Sequence, residues 1–317
     1  MEMQKKNKII TVTMNPAVDR TCHVDTMVIG GLNRLSNMSS DAGGKGINVS
    51  KMISVLGGTS IATGFLGGSA GREIMTVLLA HKIETDFVEI KSSTRYNLKV
   101  LSKNHGITEF NEPGPVITPQ ESQALREKLI GYAEPDTIFA FSGSLPQGVS
   151  PDIYQQLIRE VKKGGSAVFL DTDGEAFSSA ISARPDFIKP NKFELTQYFN
   201  VDENCSLSET VSLCRRFISK GIKMVALSMG QQGALFVNRQ ENLYAQGLQV
   251  KAASTVGAGD CMVGAMIRAF VMGFPFRAAA ALAMAASAGA VTTQGTATPT
   301  RETIDGLIKQ VEFKNVT

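Results

Sequence analysis

From Thr137 onward the chain repeats one pattern: a short apolar run rich in β-formers, a small loop, then a segment whose apolar residues recur at helical spacing. The runs Thr137–Ser142, Ala167–Asp171, Asp186–Lys189 and Lys223–Ser228 read as strands, and Pro151–Lys163, Gly174–Ala183, Lys192–Phe199 and Ser208–Lys220 as helices. Strands linked by such helices run parallel, because the crossover returns the chain to the end of the sheet where it began. Parallel strands need cover on both faces. The expected fold is therefore α/β, a mostly parallel central sheet with helices on both faces. Lys8–Thr13 and Ile61–Phe65 should join that sheet, and the C-terminal third reads as helical near Ala258–Met272, Pro275–Thr292 and Thr300–Gln310.

Two regions break the rhythm. Thr21–Asn37 and Thr94–Phe110 read as extended, with a turn at Asn104-His105-Gly106 in the second. They are expected to form a small second sheet, from about residues 19–40 and 92–118, on one domain spanning residues 1–317. A surface flap would satisfy the same pattern. A lid over a site is favoured, because small-molecule transfer chemistry needs water kept out.

Composition narrows the possible functions. Of 317 residues, 43% are apolar, enough for a large core, and the net charge of +3 is carried by scattered basic residues. That argues against a nucleic-acid stripe and against a membrane-surface helix, and leaves small anions as ligands. The longest apolar stretch, Ala278–Val291, is short for a membrane span and is broken by Ser287 and Gly289. Cys22, Cys205, Cys214 and Cys261 show no paired spacing, and His23, His81 and His105 are far apart, so neither a zinc site nor a disulfide framework is expected. Residues 1–7 lead into a β-like run with no apolar signal core, which predicts a cytoplasmic protein.

The chemistry concentrates in glycine-rich turns that open helices. In Ser254-Thr255-Val256-Gly257-Ala258-Gly259-Asp260, two glycines let backbone N–H groups approach an anion at the positive end of the next helix. Asp260 beside a phosphate needs another task, and accepting a proton from an attacking hydroxyl is one. A lone Gly-x-Gly with an Asp is also an ordinary turn and cap. A dinucleotide fingerprint is excluded by Met262, and no Gly-x-x-x-x-Gly-Lys-Ser/Thr run occurs.

A second such entry, Asp41-Ala42-Gly43-Gly44-Lys45-Gly46-Ile47-Asn48, adds an ammonium to the cradle. Two cradles suggest two phosphorylated ligands, or one phosphate donor and one phosphorylated acceptor. Arg95 and Asn97, on the lid, could complete a clamp on the acceptor phosphate, and Asp19 could receive sugar hydroxyls. Asn191 and Glu194, three apart at a helix start, read either as a cap or as a magnesium-water site beside nucleotide phosphates. Asn15, Ser142-Gly143-Ser144 and Ser228-Met229-Gly230 follow strands, where ligands of such sheets bind.

Taken in order, the runs Asn15 to Asp19, Gly43 to Val49, Ser142 to Pro146, Lys189 to Glu194, Ser228 to Gly233 and Thr255 to Asp260 resemble the ribokinase, or PfkB, family of carbohydrate kinases over essentially the whole chain. The resemblance implies a ribokinase-like fold with a small β-sheet lid, ATP and Mg²⁺ as cofactors, and a homodimer paired through the lid. It implies Asp260 as the catalytic base and Gly257, Ala258 and Gly259 as an anion hole. Ser228, Gly230, Gly233 and Thr255 would belong to the nucleotide site. Asp19, Gly43, Gly44, Lys45, Asn48, Arg95, Asn97 and Ser144 would hold a sugar phosphate, and Asn191 with Glu194 would organise Mg²⁺ through water. The nearest branch acts on the 6-hydroxyl of fructose 1-phosphate, with the tagatose 6-phosphate branch next and a non-catalytic sugar-phosphate sensor as the alternative from another class. Met14 stands where Leu is usual, and Cys261 where Ser or Ala is frequent, which suggests sensitivity to thiol reagents.

Overall fold

The computed structural model describes residues 7–317, so the expectation about the N-terminus falls almost wholly outside the described residues. The chain runs β1 (Lys8–Thr13), β2 (Ala17–Val24), β3 (Ser36–Gly43), α1 (Lys45–Val55), β4 (Ile61–Leu66), α2 (Gly68–Ala80), β5 (Glu84–Thr85), β6 (Val88–Glu89), β7 (Arg95–Ser102) and β8 (Gly106–Asn111). It continues through α3 (Pro119–Gly131), β9 (Thr137–Ser142), α4 (Ile153–Lys163), β10 (Ala167–Asp171), α5 (Gly174–Ile181), β11 (Phe187–Ile188), α6 (Lys192–Phe199) and α7 (Leu207–Ser219). The remainder is β12 (Met224–Ser228), β13 (Ala234–Asn238), β14 (Asn242–Ala245), α8 (Ala258–Val271), α9 (Phe276–Val291), α10 (Arg301–Ile308) and β15 (Phe313–Asn315).

The main sheet has the order β15-β14-β13-β12-β11-β10-β9-β1-β4-β5, with β6 also paired to β4. From β12 to β4 every neighbouring pair is parallel. β1 is an interior strand, bonded to β4 on one side and β9 on the other. Its Ile10 and Val12 enter one core, with Leu129, Leu157, Phe177 and Phe217 from α3, α4, α5 and α7. Its Ile9 enters the other, with Met52, Met266, Ala283 and Ile304 from α1, α8, α9 and α10. Cover on both faces is why the strand is apolar at consecutive positions instead of alternating. Close approach of α1 and α8 depends on Gly264, where a Cβ would lie 2.8 Å from that of Met52.

The three C-terminal helices α8, α9 and α10 fall where they were expected, but the far edge holds strands that were not. β13 and β14 form an antiparallel hairpin whose turn is held by Asn238, which accepts from the N–H groups of Gln240 and Glu241, and β15 adds to it. The structure also contains α2 and α3, neither of which was expected. The start of α3 is marked by a capping box, Thr118 with Glu121, and by Pro119 in its first turn.

A second sheet of four strands has the order β3-β2-β7-β8. The continuous extended run expected over residues 21–37 is broken, because Asn33 bonds to Val28 N–H and C=O and closes a turn that sends the chain back from β2 to β3. The β7–β8 turn falls at Asn104 and His105, as read from sequence. Leu32, Met38, Ile107 and Phe110 on this sheet and its turn stay exposed.

Candidate active site

Two helices begin at glycines, and their first turns meet at the Asn48–Asp260 hydrogen bond. α8 is preceded by Gly257 at φ +80° and α1 by Gly44 at φ +120°, and neither start has a side-chain cap. First-turn N–H groups have no intrahelical acceptor, so both ends remain free to receive an anion. A Cβ at Gly44 would meet Thr13 Cγ2 at 2.7 Å, and one at Gly259 would lie 3.1 Å from the Lys189 ammonium.

Asp260, third in α8, is 7% exposed, and its Oδ2 accepts from Asn48 Nδ2 on α1 at 2.8 Å. It is buried toward other polar groups, at the junction of the two glycine starts. Burial, with the nearby Asp171 carboxylate adding, pushes its carboxyl up to about 6.

Asp171 was not anticipated. It ends β10 with 1% of its surface exposed, and its Oδ1 accepts from Lys45 Nζ at 3.2 Å and from Lys189 Nζ at 3.3 Å. Oδ2 is buried without a partner. Burial works against its charge, yet Lys189 and Lys45 outweigh it and hold the carboxyl below the usual carboxylate range. Burial likewise opposes the Lys45 charge, but Asp171, then Asp260 and Glu194, keep that ammonium above its ordinary value. Lys45 is thus a paired cation whose charge is supported by Asp171 and Asp260.

On the small sheet, Asp19 is buried and accepts from Asn97 Nδ2 at 2.8 Å, with Lys99 Nζ at 3.8 Å. Gly43 packs on that carboxylate so tightly that a Cβ would collide with it. The Arg95 guanidinium donates to the carbonyls of Glu112 at 2.8 Å and Asn15 at 3.1 Å, so much of its hydrogen-bonding capacity is spent on backbone. Its Nε is buried without a partner. Ser144 is exposed beside Asn15, whose amide reaches its Oγ at 3.4 Å.

On the opposite side, a cavity of about 510 Å³ is lined by Ser228, Gly230, Gly233 and Thr255 together with Ala258 and Gly259. Its remaining wall includes Met284, Ser287, Ala288 and Val291 of α9, residues that no sequence motif singled out. Asn191 and Glu194 form the reciprocal cap of α6, with Glu194 N–H to Asn191 Oδ1 at 2.8 Å and Asn191 N–H to Glu194 Oε2 at 2.9 Å. Burial and Asp171 raise the Glu194 carboxyl against the pull of Lys189. No group of three His, Cys, Asp or Glu side chains able to hold a metal occurs among the described residues. The donors still fit a hydrated magnesium–nucleotide, since the Glu194 carboxyl interacts with Lys189, Lys45 and Asp171, and Asp171 Oδ2 is buried without a partner.

The profile of the pfkB family of carbohydrate kinases matches residues 12–303. The chain belongs to this family. A 1-phosphofructokinase of Bacillus subtilis is 34% identical over 304 residues, covering 96% of this chain and 98% of that protein. A tagatose-6-phosphate kinase of Staphylococcus epidermidis is 33% identical over 258 residues, covering 80% of this chain and 83% of that protein. Phosphofructokinase-2 of Escherichia coli, solved in complex with substrates and products, superposes with a TM-score of 0.92 at 29% identity, covering 96% of this chain and 99% of that one. The fold is therefore ribokinase-like, and the chain is a phosphotransferase of the carbohydrate-kinase type.

In this pfkB-family kinase one expectation is overturned. Cys261 was read as a thiol that could expose activity to alkylation, but it is 2% exposed in the α8 core, and burial, then Asp260, pushes the thiol well above its ordinary pKa. Lys189 and Asp171 had a signal that went unused: both directly precede loops at carboxyl ends of parallel strands.

Proposed function

We propose that the chain transfers the γ-phosphoryl group of ATP to the 6-hydroxyl of fructose 1-phosphate, giving fructose 1,6-bisphosphate and ADP. The observation that carries this reading is the Asn48–Asp260 hydrogen bond, which joins the glycine start expected to hold the acceptor to the one expected to hold the transferred group. The 1-phosphofructokinase relatives support the choice of acceptor.

In the proposed reaction the 6-hydroxyl oxygen bonds to the γ-phosphorus as the bond to ADP breaks, and its proton passes to Asp260. Positioning and charge stabilisation dominate such transfers. Gly257, Ala258 and Gly259 would receive the negative charge on their N–H groups. Ser228, Gly230, Gly233 and Thr255 would hold the nucleotide, with α9 forming the far wall. Asp19, Gly43, Gly44, Lys45, Asn48, Arg95, Asn97 and Ser144 would hold the sugar phosphate. A magnesium ion, when bound, would neutralise phosphate charge, with Asn191 and Glu194 reaching it through water. The small sheet is read as a lid on a single domain, and its exposed Leu32, Met38, Ile107 and Phe110 as the surface that pairs two copies. No helix among the described residues is long and apolar enough to cross a membrane.

Release of ADP, measured with fructose 1-phosphate, fructose 6-phosphate and tagatose 6-phosphate side by side, tests the proposal. Fructose 1-phosphate should show the highest kcat/KM. A higher value with tagatose 6-phosphate would reassign the acceptor, and no ADP from any of the three would leave a sugar-phosphate sensor.

Two further outcomes follow. A base must be ionised to accept a proton, so with Asp260 at about 6 the pH profile of kcat/KM should have an acid limb near pH 6, falling about tenfold per unit below it. A profile flat down to pH 5 would remove Asp260 from that role. Lys45→Ala should raise the KM for fructose 1-phosphate by about tenfold or more, the loss expected for one charge-assisted contact. An unchanged KM with a lower kcat would instead place Lys45 on the transferring phosphoryl group.

A further inference from the structure

Behind the anion-binding turn, the segment that follows α9 touches three elements at once. Thr296 is 6% exposed and donates its hydroxyl to Asp41 Oδ2 at 2.8 Å. The other oxygen of Asp41 accepts from Lys51 Nζ at 2.8 Å, and that ammonium, on α1 and 2% exposed, also donates to Ala42 C=O at 2.7 Å. Asp41 stands two residues before Gly43 at the end of β3, so the chain of bonds fixes the strand that leads into the acceptor cradle.

Thr296 also faces the donor side. Its Cα is the sole neighbour that a Cβ at Gly257 would meet within 4 Å, at a distance of 3.9 Å. One turn earlier, Val291 C=O at the end of α9 accepts from both Ala253 N–H at 2.8 Å and Ser254 N–H at 3.2 Å. The approach to the glycine turn is thus hung from the end of α9, and the loop leaving α9 is hung from Asp41. Next to it, a Cβ at Gly295 would lie 3.9 Å from the hydroxyl of Thr21 on β2.

We infer that Thr296 and Asp41 are positioning residues for phosphoryl transfer: their hydrogen bond transmits the position of β3 to Gly257, so that the anion turn takes its active shape in register with the acceptor cradle. This rests on the proposed kinase reaction for its catalytic meaning, but the mechanical link stands on geometry alone. The chemistry suits the task. A carboxylate that already anchors a buried ammonium has no low-energy alternative place, and a hydroxyl bonded to it is held by a charge-assisted contact. The Asp260 carboxylate is bonded to Asn48, whereas Thr296 and Asp41 bond to each other.

The test compares Thr296→Val, which keeps shape and loses the hydroxyl, with Thr296→Ser, which keeps the hydroxyl. Hydrogen exchange reads the link without any turnover. The N–H groups of Ala253, Ser254 and Cys261 are hydrogen-bonded and should exchange about tenfold faster in Thr296→Val, with those of the central β9 unchanged, and near the original rate in Thr296→Ser. In the ADP-release assay kcat should fall about tenfold in Thr296→Val, the KM for ATP should stay the same, and Thr296→Ser should restore turnover. Unchanged exchange in Thr296→Val, or equal effects of Val and Ser, would overturn the link. Altered exchange in a protein that releases no ADP from any acceptor would keep the link and sink the kinase reading instead.

Discussion

Asp260→Asn is expected to lower kcat by about a hundredfold or more while ATP still binds, the size usual for loss of a positioned base. Asn has the same shape, and its amide oxygen can still accept from Asn48 Nδ2, so α1 and α8 should stay joined. Steady-state ADP release, with nucleotide affinity followed by direct titration, makes the measurement. Normal turnover would mean that the proton leaves by another route. Because burial and Asp171 destabilise the charge at position 260, the Asn variant should also unfold at a temperature no lower than the parent near neutral pH.

The second large effect concerns stability. Asp171→Ala leaves the Lys45 and Lys189 ammoniums without the carboxylate they share, and Lys189 is only 6% exposed. Removing one member of a buried ionic group costs about 3–5 kcal/mol, because the remaining charge stays desolvated. For a chain of this size that corresponds to a fall in Tm of roughly 10 °C. The Asp171 carboxyl is held below its ordinary value, so its contribution is in place above the unfolded-state pKa and disappears as pH falls through the lower folded value. The difference in Tm between parent and variant should therefore shrink in strong acid. A variant as stable as the parent at neutral pH would mean that the two lysines find other partners.

The strands at Lys8–Thr13, Thr137–Ser142 and Ala167–Asp171 were legible to the residue, because each is an apolar run of strand length closed by polar or glycine-rich loops. The polar second sheet was recognised as extended, but its internal turn depended on Asn33 bonding to Val28, a local choice that alternation does not encode. α2 begins in glycines and reads like a loop at its start. The hairpin of β13 and β14 lies beyond the last crossover, where the βα rhythm no longer applies.

The site was legible where short runs carry several special residues at once, as at Gly43 to Asn48 and Gly257 to Asp260. Asp171 closes an ordinary apolar strand, and its importance comes from lysines 126 positions before it, in Lys45, and on the adjacent strand end, in Lys189. Residues of that kind are marked only by their place at the carboxyl end of a parallel strand. Arg95 differs again: its place on the small sheet was legible, but its bonds to the carbonyls of Asn15 and Glu112 depend on the tertiary fold.

The interior place of β1 has a consequence for biosynthesis. This strand is flanked on one side by residues 61–64, which follow it early in synthesis, and on the other by residues 137–141, which emerge much later. One margin of that strand stays open while the nascent chain lengthens by well over a hundred residues, a period in which pairing with a foreign edge competes with the correct partner. Pauses in translation before residue 137 should therefore be the ones that most lower the yield of soluble protein.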